Sequence, residues 1–288
     1  MKYFVAKFKI DCAPDFMQVA RELLSAAACE AGFEAFEDTE SGIDGYAQRQ
    51  LFNKEELDSA ISEYMPDGVS VAYNVQEVPD QDWNQGWEDE GFEPIGVGDR
   101  LVIYDAKHTD MGMFAGDDGV MRIFIEARNA FGTGTHQTTR MMLRRLLAMD
   151  LNGKTVLDCG CGTGILGIAA AKLGAAKVLA YDIDEWSVDN AGHNAQLNGV
   201  DNMKVLLGDA SVMEGVDETF DVVIANINRN ILLADMGVFC KHLKKGGALL
   251  LSGFYTEDVD MLKASAEKYG LLVKDMDTDE NWTCLRLG

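Results

Sequence analysis

Along residues 1–79 the apolar positions switch repeatedly between a strand period and a helical one, and the switches predict six elements. Residues 2–10 read as a strand. Residues 15–31 read as a helix, with Val19, Leu23, Leu24 and Ala27 on its apolar face. Two strands, 33–37 and 42–49, flank a short acidic turn, and a second helix covers 54–64. Asn53 sits at that helix's start with Glu56 three residues on, the acidic half of a capping box. An alternating strand over 69–78 closes the unit. The order βαββαβ predicts a small ferredoxin-like α+β domain over 1–79.

Residues 80–91 (DQDWNQGWEDEG) interrupt the pattern and read as an interdomain linker whose Trp83 and Trp87 pack into an interface. A larger domain, 92–288, follows. It opens with strands at 92–95, 100–104 and 121–126, the last two separated by a Gly/Asp-rich hairpin over 110–119. A Gly/Thr loop leads into a helix over 139–149, for which the loop's threonines are candidate caps. From Lys154 strands and helices alternate: strand 155–157, helix 165–173, strand 177–181, helix 185–197, strands 203–207 and 220–225, helix 230–244, strand 247–252, helix 258–269. That alternation predicts a parallel, doubly wound α/β sheet of Rossmann-like type. Segments 271–275 and 282–287, joined by a short acidic turn, predict an antiparallel hairpin at its edge.

Composition narrows the class. The hydrophobic share is 47% of 288 residues, enough to fill two cores, and charges break every apolar run long before membrane-spanning length. The six cysteines show no framework spacing, so a reduced, cytoplasmic and unexported protein is expected. A net charge of −23 argues against a phosphate backbone as partner and suits a basic protein. Residues 1–79 hold six Lys/Arg against fifteen Asp/Glu, net −9, so the small domain is the more acidic per residue.

Chemistry concentrates where a strand ends in Asp158 and opens into Gly160-Cys161-Gly162-Thr163-Gly164. Glycines on a strand-to-helix turn let backbone approach a ligand closely. A dinucleotide fingerprint would need its third glycine at position 165, which is Ile165, and the Asp158 carboxylate in the turn would repel a pyrophosphate but pair with an ammonium group. Asp182, twenty-two residues past Gly160 at the next strand's end, is placed for the two hydroxyls of a ribose. Asp209, ending the strand after that, is placed for an adenine amino group. Asn226 lies at the carboxyl edge of the fourth strand, where its side-chain carbonyl can accept an amine hydrogen. Cys159 and Cys161 lack a second pair or a nearby histidine, so they read as small fillers of the turn and no metal is expected.

Acid, glycine turn, ribose acid and adenine acid in this order resemble the S-adenosylmethionine site of Rossmann-like class I methyltransferases, whose sheet also ends in an antiparallel hairpin. The loop FGTGTHQTT, the block VLDCGCGTGILGIAAAKLGA, YDID, ANI and the segment from Asp82 to Ile103 resemble the ribosomal protein L-eleven methyltransferase family (PrmA). The likeness covers residues 80–254 well, and the N-terminal domain only in architecture and position. It implies methyl transfer from S-adenosylmethionine to the N-terminal amine and lysine side chains of a basic large-subunit ribosomal protein, by a protein expected to be a monomer. It implies cofactor contacts at Thr139, Gly160, Asp182 and Asn226, with Phe131 and Gly162 alongside. Gln137 stands where the family usually has proline, and ANINRN replaces the usual ANILAG. His136 is a candidate base or a structural residue of the loop.

Other functions remain to be weighed. A nucleic-acid adenine methyltransferase would carry N-P-P-[YFW] after the fourth strand, but Ile227 and Asn228 follow Asn226, and no aromatic platform is present there. Ile165 and Asp158 disfavour a nicotinamide oxidoreductase. A non-catalytic cofactor-binding module has the same binding residues.

Overall fold

The computed structural model describes residues 3–13, 16–39, 41–48, 52–66, 68–77, 91–114, 119–127 and 132–288. Trp83, Trp87 and Phe131, together with 80–90 of the expected linker, lie outside the described residues. The chain divides into two compact units, residues 1–83 and 84–288.

The first unit runs β1 (Tyr3–Asp11), α1 (Met17–Glu30), β2 (Phe33–Thr39), β3 (Gly42–Gln48), α2 (Lys54–Tyr64) and β4 (Ser70–Glu77). Its four strands form an antiparallel sheet in the order β2-β3-β1-β4. Alternation along β1 sends Ala6, Phe8 and Ile10 inward and leaves Lys7 and Lys9 exposed. The inward set meets Ala20, Leu24 and Ala28 of α1 and Leu57 of α2 in one core. Asn53 fixes the start of α2 by accepting from the Glu55 and Glu56 N–H groups.

The second unit begins with β5 (Ile95–Val97), β6 (Leu101–Asp105) and β7 (Met121–Ile125). Two expectations fail here. The strand expected over 92–95 forms at Ile95–Val97. β6 and β7 run parallel rather than as the arms of a hairpin, and the described part of their connection includes a short 3-10 turn, Met111–Phe114. Parallel neighbours require a connection of roughly a dozen residues, which a tight hairpin cannot supply.

The remainder is α3 (Gln137–Leu147), β8 (Thr155–Cys159), α4 (Ile165–Lys172), β9 (Lys177–Asp182), α5 (Glu185–Leu197), β10 (Met203–Leu207), β11 (Phe220–Asn226), α6 (Arg229–His242), β12 (Leu243–Tyr255), α7 (Val259–Glu267), β13 (Val273–Asp279) and β14 (Trp282–Leu287). Seven strands form one sheet, ordered β10-β9-β8-β11-β12-β14-β13. β8 to β12 are parallel, and β14 runs antiparallel to both β12 and β13, the expected terminal hairpin. Strands covered on both faces read as continuous apolar runs. In β11, Val222 and Ile224 join one core and Val223 and Ala225 the other.

Helix α5 adds a device that composition alone conceals. Asn190, Asn194 and Asn198, spaced one turn apart, serve the open edge of β7 and the residue after it. Asn198 both accepts from the Phe124 N–H, at 2.9 Å, and donates to its carbonyl, at 2.7 Å. Asn194 accepts from the Glu126 N–H at 3.0 Å, and Asn190 donates to the Glu126 carbonyl at 2.8 Å. Side-chain amides thus stand in for a missing strand and satisfy backbone groups that would otherwise be unpaired.

Candidate active site

The order in which strands are added to the large sheet reverses between the parallel neighbours β8 and β11, whose successors fan outward on opposite sides. Open α/β sheets bind ligands in the crevice outside the carboxyl ends of the strands at such a point. A cavity of about 780 Å³ lies there, lined by Gly160 and Gly162 after β8, Asp182 ending β9, Asp209 after β10, and Asn226 ending β11. Thr139 of α3 also lines it. Four strand ends and one helix therefore bring together six of the eight residues singled out in the sequence.

The glycine turn is held open by its backbone. Gly160 has φ +69°, and a Cβ there would fall 2.4 Å from Cγ2 of Ile227. Gly164, at φ +79°, is the N-cap of α4. Both positions lie where an L side chain is strained. The Gly160 and Cys161 N–H groups donate to the Tyr181 carbonyl at 2.9 and 3.1 Å, and the Gly162 N–H donates to Oδ2 of Asp182 at 2.8 Å. Asp182 therefore ties the turn to β9 as well as facing the cavity. Thr163 donates to the Gly132 carbonyl at 2.6 Å, and Asn194 donates to the Thr163 carbonyl at 3.0 Å, so the Gly/Thr loop, the turn and α5 form one bonded chain.

Asp158 requires a correction. It belongs to β8 rather than to the turn, is 1% exposed, and is not among the residues lining the cavity. Alternation along the strand points it beneath α4, where Oδ2 accepts from the Gly167 N–H at 2.9 Å while Oδ1 has no partner. Burial raises its pKa to about 7, with the Gly167 bond opposing and the Asp182 charge adding to the shift. A raised folded-state pKa means that the native protein holds a proton the unfolded chain has lost. Stability therefore falls as pH rises from about 4 to 7, by at most about 1.4 kcal/mol per pH unit from this group. Asp158→Asn is expected to flatten that part of a melting-temperature profile against pH. An unchanged slope would show that Asp158 does not titrate there.

The loop before α3 also differs from expectation. Helix α3 starts at Gln137, two residues early, and His136 is its cap: Nδ1 accepts from the Thr138 N–H at 3.3 Å. Thr138 and Thr139 lie inside the helix, Thr139 fully buried. His136 also meets the Trp282 ring edge-on, with centroids 4.7 Å apart, and is not among the cavity-lining residues. Gln137 donates to Glu280 at 3.1 Å, binding the loop to the turn of the β13–β14 hairpin at the position where the family usually has proline.

Asn226 has a distinctive environment. Nδ2 donates to Oγ1 of Thr139 at 3.5 Å, whereas Oδ1 is buried with no partner. A buried acceptor left unsatisfied is costly and calls for an explanation. The rest of ANINRN secures the segment. Asn228 caps α6, and Arg229 donates to Asp258 at 2.7 Å; Asp258 in turn accepts from the Tyr255 N–H at 3.1 Å.

Sequence reading missed the apolar walls. Ile183 follows Asp182, lines the cavity and is 64% exposed; Ile231, one helical residue pair into α6, is 43% exposed. Each leaves a large apolar side chain open at the cavity, and an isoleucine directly after a strand-ending aspartate was the available signal. Cys159 and Cys161 are both buried, which pushes their thiols up, and all six cysteines are free.

A glycine turn, a strand-ending acid, apolar walls and a carboxamide at a seven-stranded sheet with this order and terminal hairpin define a class I methyltransferase. Residues 18–287 match the family model described as Ribosomal protein L11 methyltransferase (PrmA). Ribosomal protein L11 methyltransferase of Bacteroides fragilis is 41% identical over 286 residues, covering 99% of each chain. That of Porphyromonas gingivalis is 42% identical over 289 residues, covering 99% of this chain and 97% of its own. The crystal structure of ribosomal protein L11 methylase from Lactobacillus delbrueckii subsp. bulgaricus superposes with a TM-score of 0.62 at 29% identity, over 68% of this chain and 98% of that one. The chain belongs to the ribosomal protein L11 methyltransferase family.

Proposed function

We propose that this enzyme transfers methyl groups from S-adenosylmethionine to amines of ribosomal protein L11, with the methyl donor in the cavity at the switch point and the amine at Asn226. The unpartnered, buried Oδ1 of Asn226 carries the reading, because a neutral amine has the N–H that this oxygen lacks. The cavity suits the donor. Its lining holds four acids, Asp182, Asp209, Glu214 and Asp235, against one lysine, Lys241, a balance that favours a cationic ligand free of phosphate. A volume of about 780 Å³ falls in the usual range for small-ligand sites.

When bound, the donor supplies an electrophilic methyl on a sulfonium, which leaves as a neutral thioether. The chain's own part is to hold and orient. The Asp182 carboxylate takes the ribose hydroxyls while Gly160 and Gly162 let backbone approach the amino-acid portion. Ile183 and Ile231 flank the base. Asn226 turns the amine's lone pair toward the transferred carbon, with Thr139 fixing the amide. A lysine ammonium has no lone pair, so its proton leaves to solvent before transfer; the apolar walls disfavour the charged form.

Residues 1–79 serve as the docking domain, their net charge of −9 suiting a basic partner. Incubation with labelled S-adenosylmethionine and purified L11, followed by mass spectrometry, tests the reading: label is expected on L11 amines, and its absence overturns the assignment. Removal of residues 1–79 is expected to leave cofactor binding within a few-fold while L11 methylation is lost. Efficient methylation by the shortened chain would relieve the small domain of recognition.

A further inference from the structure

Thr163 stands in the glycine turn without forming part of the cavity wall. Gly162 before it and Ile165 after it line the cavity, whereas Thr163 is fully buried and does not. Its carbonyl accepts from Nδ2 of Asn194 at 3.0 Å, and its hydroxyl donates to the Gly132 carbonyl at 2.6 Å. Asn194, equally buried, also accepts from the Glu126 N–H at 3.0 Å, so the turn is bonded to the residue after β7 through Asn194 and to the Gly/Thr loop directly. Gly132 lines the cavity, and its contact with the turn leaves no room for a side chain: a Cβ there would fall 2.9 Å from Oγ1 of Thr163. Seven residues further on, Thr139 accepts from Nδ2 of Asn226. The loop region is thus tied to the turn at one end and to Asn226 at the other. The turn has bonds of its own to β9, from the Gly160 and Cys161 N–H groups to Tyr181 and from the Gly162 N–H to Asp182. Loss of the Thr163 hydroxyl would therefore release the loop and leave the turn in place.

We propose that Thr163 is a positioning residue for methyl transfer, its hydroxyl latching the Gly/Thr loop to the donor-binding turn so that Thr139, and through it Asn226, keeps the amine in line with the transferred methyl. The inference rests on the assignment of the donor to the turn and of the amine to Asn226. Donor and acceptor are held by different segments, the one by the end of β8 and the other by the end of β11 with α3, and a displacement reaction needs the two in fixed register. A misplacement of about 1 Å can cost roughly a hundredfold in rate. A buried hydroxyl given to a carbonyl is a directional tie, and its removal leaves that carbonyl without its donor, a state the loop escapes by moving. Thr163 acts through the loop and touches neither substrate.

The test measures L11 methylation by the full-length protein, with kcat expressed per active site as counted by calorimetric titration with S-adenosylhomocysteine. Thr163→Val keeps the bulk of the side chain and removes the donor. It is expected to lower kcat by about tenfold or more, with the dissociation constant of S-adenosylhomocysteine and the KM for L11 within a few-fold of wild type. Thr163→Ser keeps the hydroxyl and is expected to hold kcat within about threefold of wild type. Thr163→Cys, whose thiol is a weak donor, is expected to fall with the valine variant and replaces it if valine does not fold. Because kcat is taken per binding-competent site, unfolded protein does not enter it. A residue that served stability alone would lower the melting temperature and leave this kcat unchanged. A kcat in the valine and cysteine variants equal to that of the serine variant, or a loss of S-adenosylhomocysteine affinity in parallel with kcat, overturns the proposal. Failure of the wild-type protein to methylate L11 overturns instead the functional assignment beneath it.

Discussion

Asp182→Ala is expected to weaken S-adenosylmethionine and S-adenosylhomocysteine binding by two orders of magnitude or more while the protein stays folded. Two losses coincide at this residue. On the proposed reading its carboxylate takes both hydroxyls of a ribose, and hydrogen bonds to a charged group are worth roughly 1.5–3 kcal/mol each. It also accepts from the Gly162 N–H at 2.8 Å and, through Oδ1, from the Asp184 N–H at 3.1 Å. Removing it frees the glycine turn from β9 at the place where the turn must present its backbone. Asp182→Asn keeps an acceptor for Gly162 but loses the charge, and is expected to fall between the wild-type protein and the alanine variant. Calorimetric titration with S-adenosylhomocysteine measures the effect, and a melting curve checks the fold. A dissociation constant within threefold of wild type would show that the ribose is held elsewhere.

That residue was legible in the sequence because its signal is local: an apolar run, KVLAY, ends in an acid at a fixed distance from a glycine turn. The same holds for Gly160, Gly162 and Asn226, each at the end of a run that can only be a buried strand. Asp158 was misplaced although it stands in the same nine residues. Strand alternation decides whether the residue before a turn points to the crevice or beneath the next helix, and the strand end was set two residues too early. The parallel pairing of β6 and β7 escaped for a different reason, since two short strands and a Gly/Asp-rich connection look alike whichever way the second strand runs. Helix α3 was shifted by two residues because threonine is the commoner cap, while here His136 does that work with a ring nitrogen.

Asn226→Ala is expected to lower kcat on L11 by about a hundredfold or more, with cofactor affinity within a few-fold of wild type. The asymmetry follows from where its atoms point. Nδ2 gives one of its two hydrogens to Thr139, and on the proposed reading the unpartnered Oδ1 is the acceptor for a group that arrives with the substrate. Removing the acceptor leaves the amine free to rotate its lone pair away from the line of displacement. Thr139→Val, which deletes the hydroxyl that fixes the amide, is expected to lose about tenfold in kcat for the same reason, through Asn226. Asn226→Asp separates orientation from protonation. A carboxylate in that position keeps the acceptor but stabilises the ammonium form of the incoming amine, so its rate is expected to recover as pH rises, the profile moving to higher pH by a unit or more. The alanine variant has no such recovery. If both variants lose cofactor binding in parallel with turnover, Asn226 holds the donor rather than the amine. If Asn226→Asp shows the wild-type pH profile, the amine does not meet Oδ1 at all.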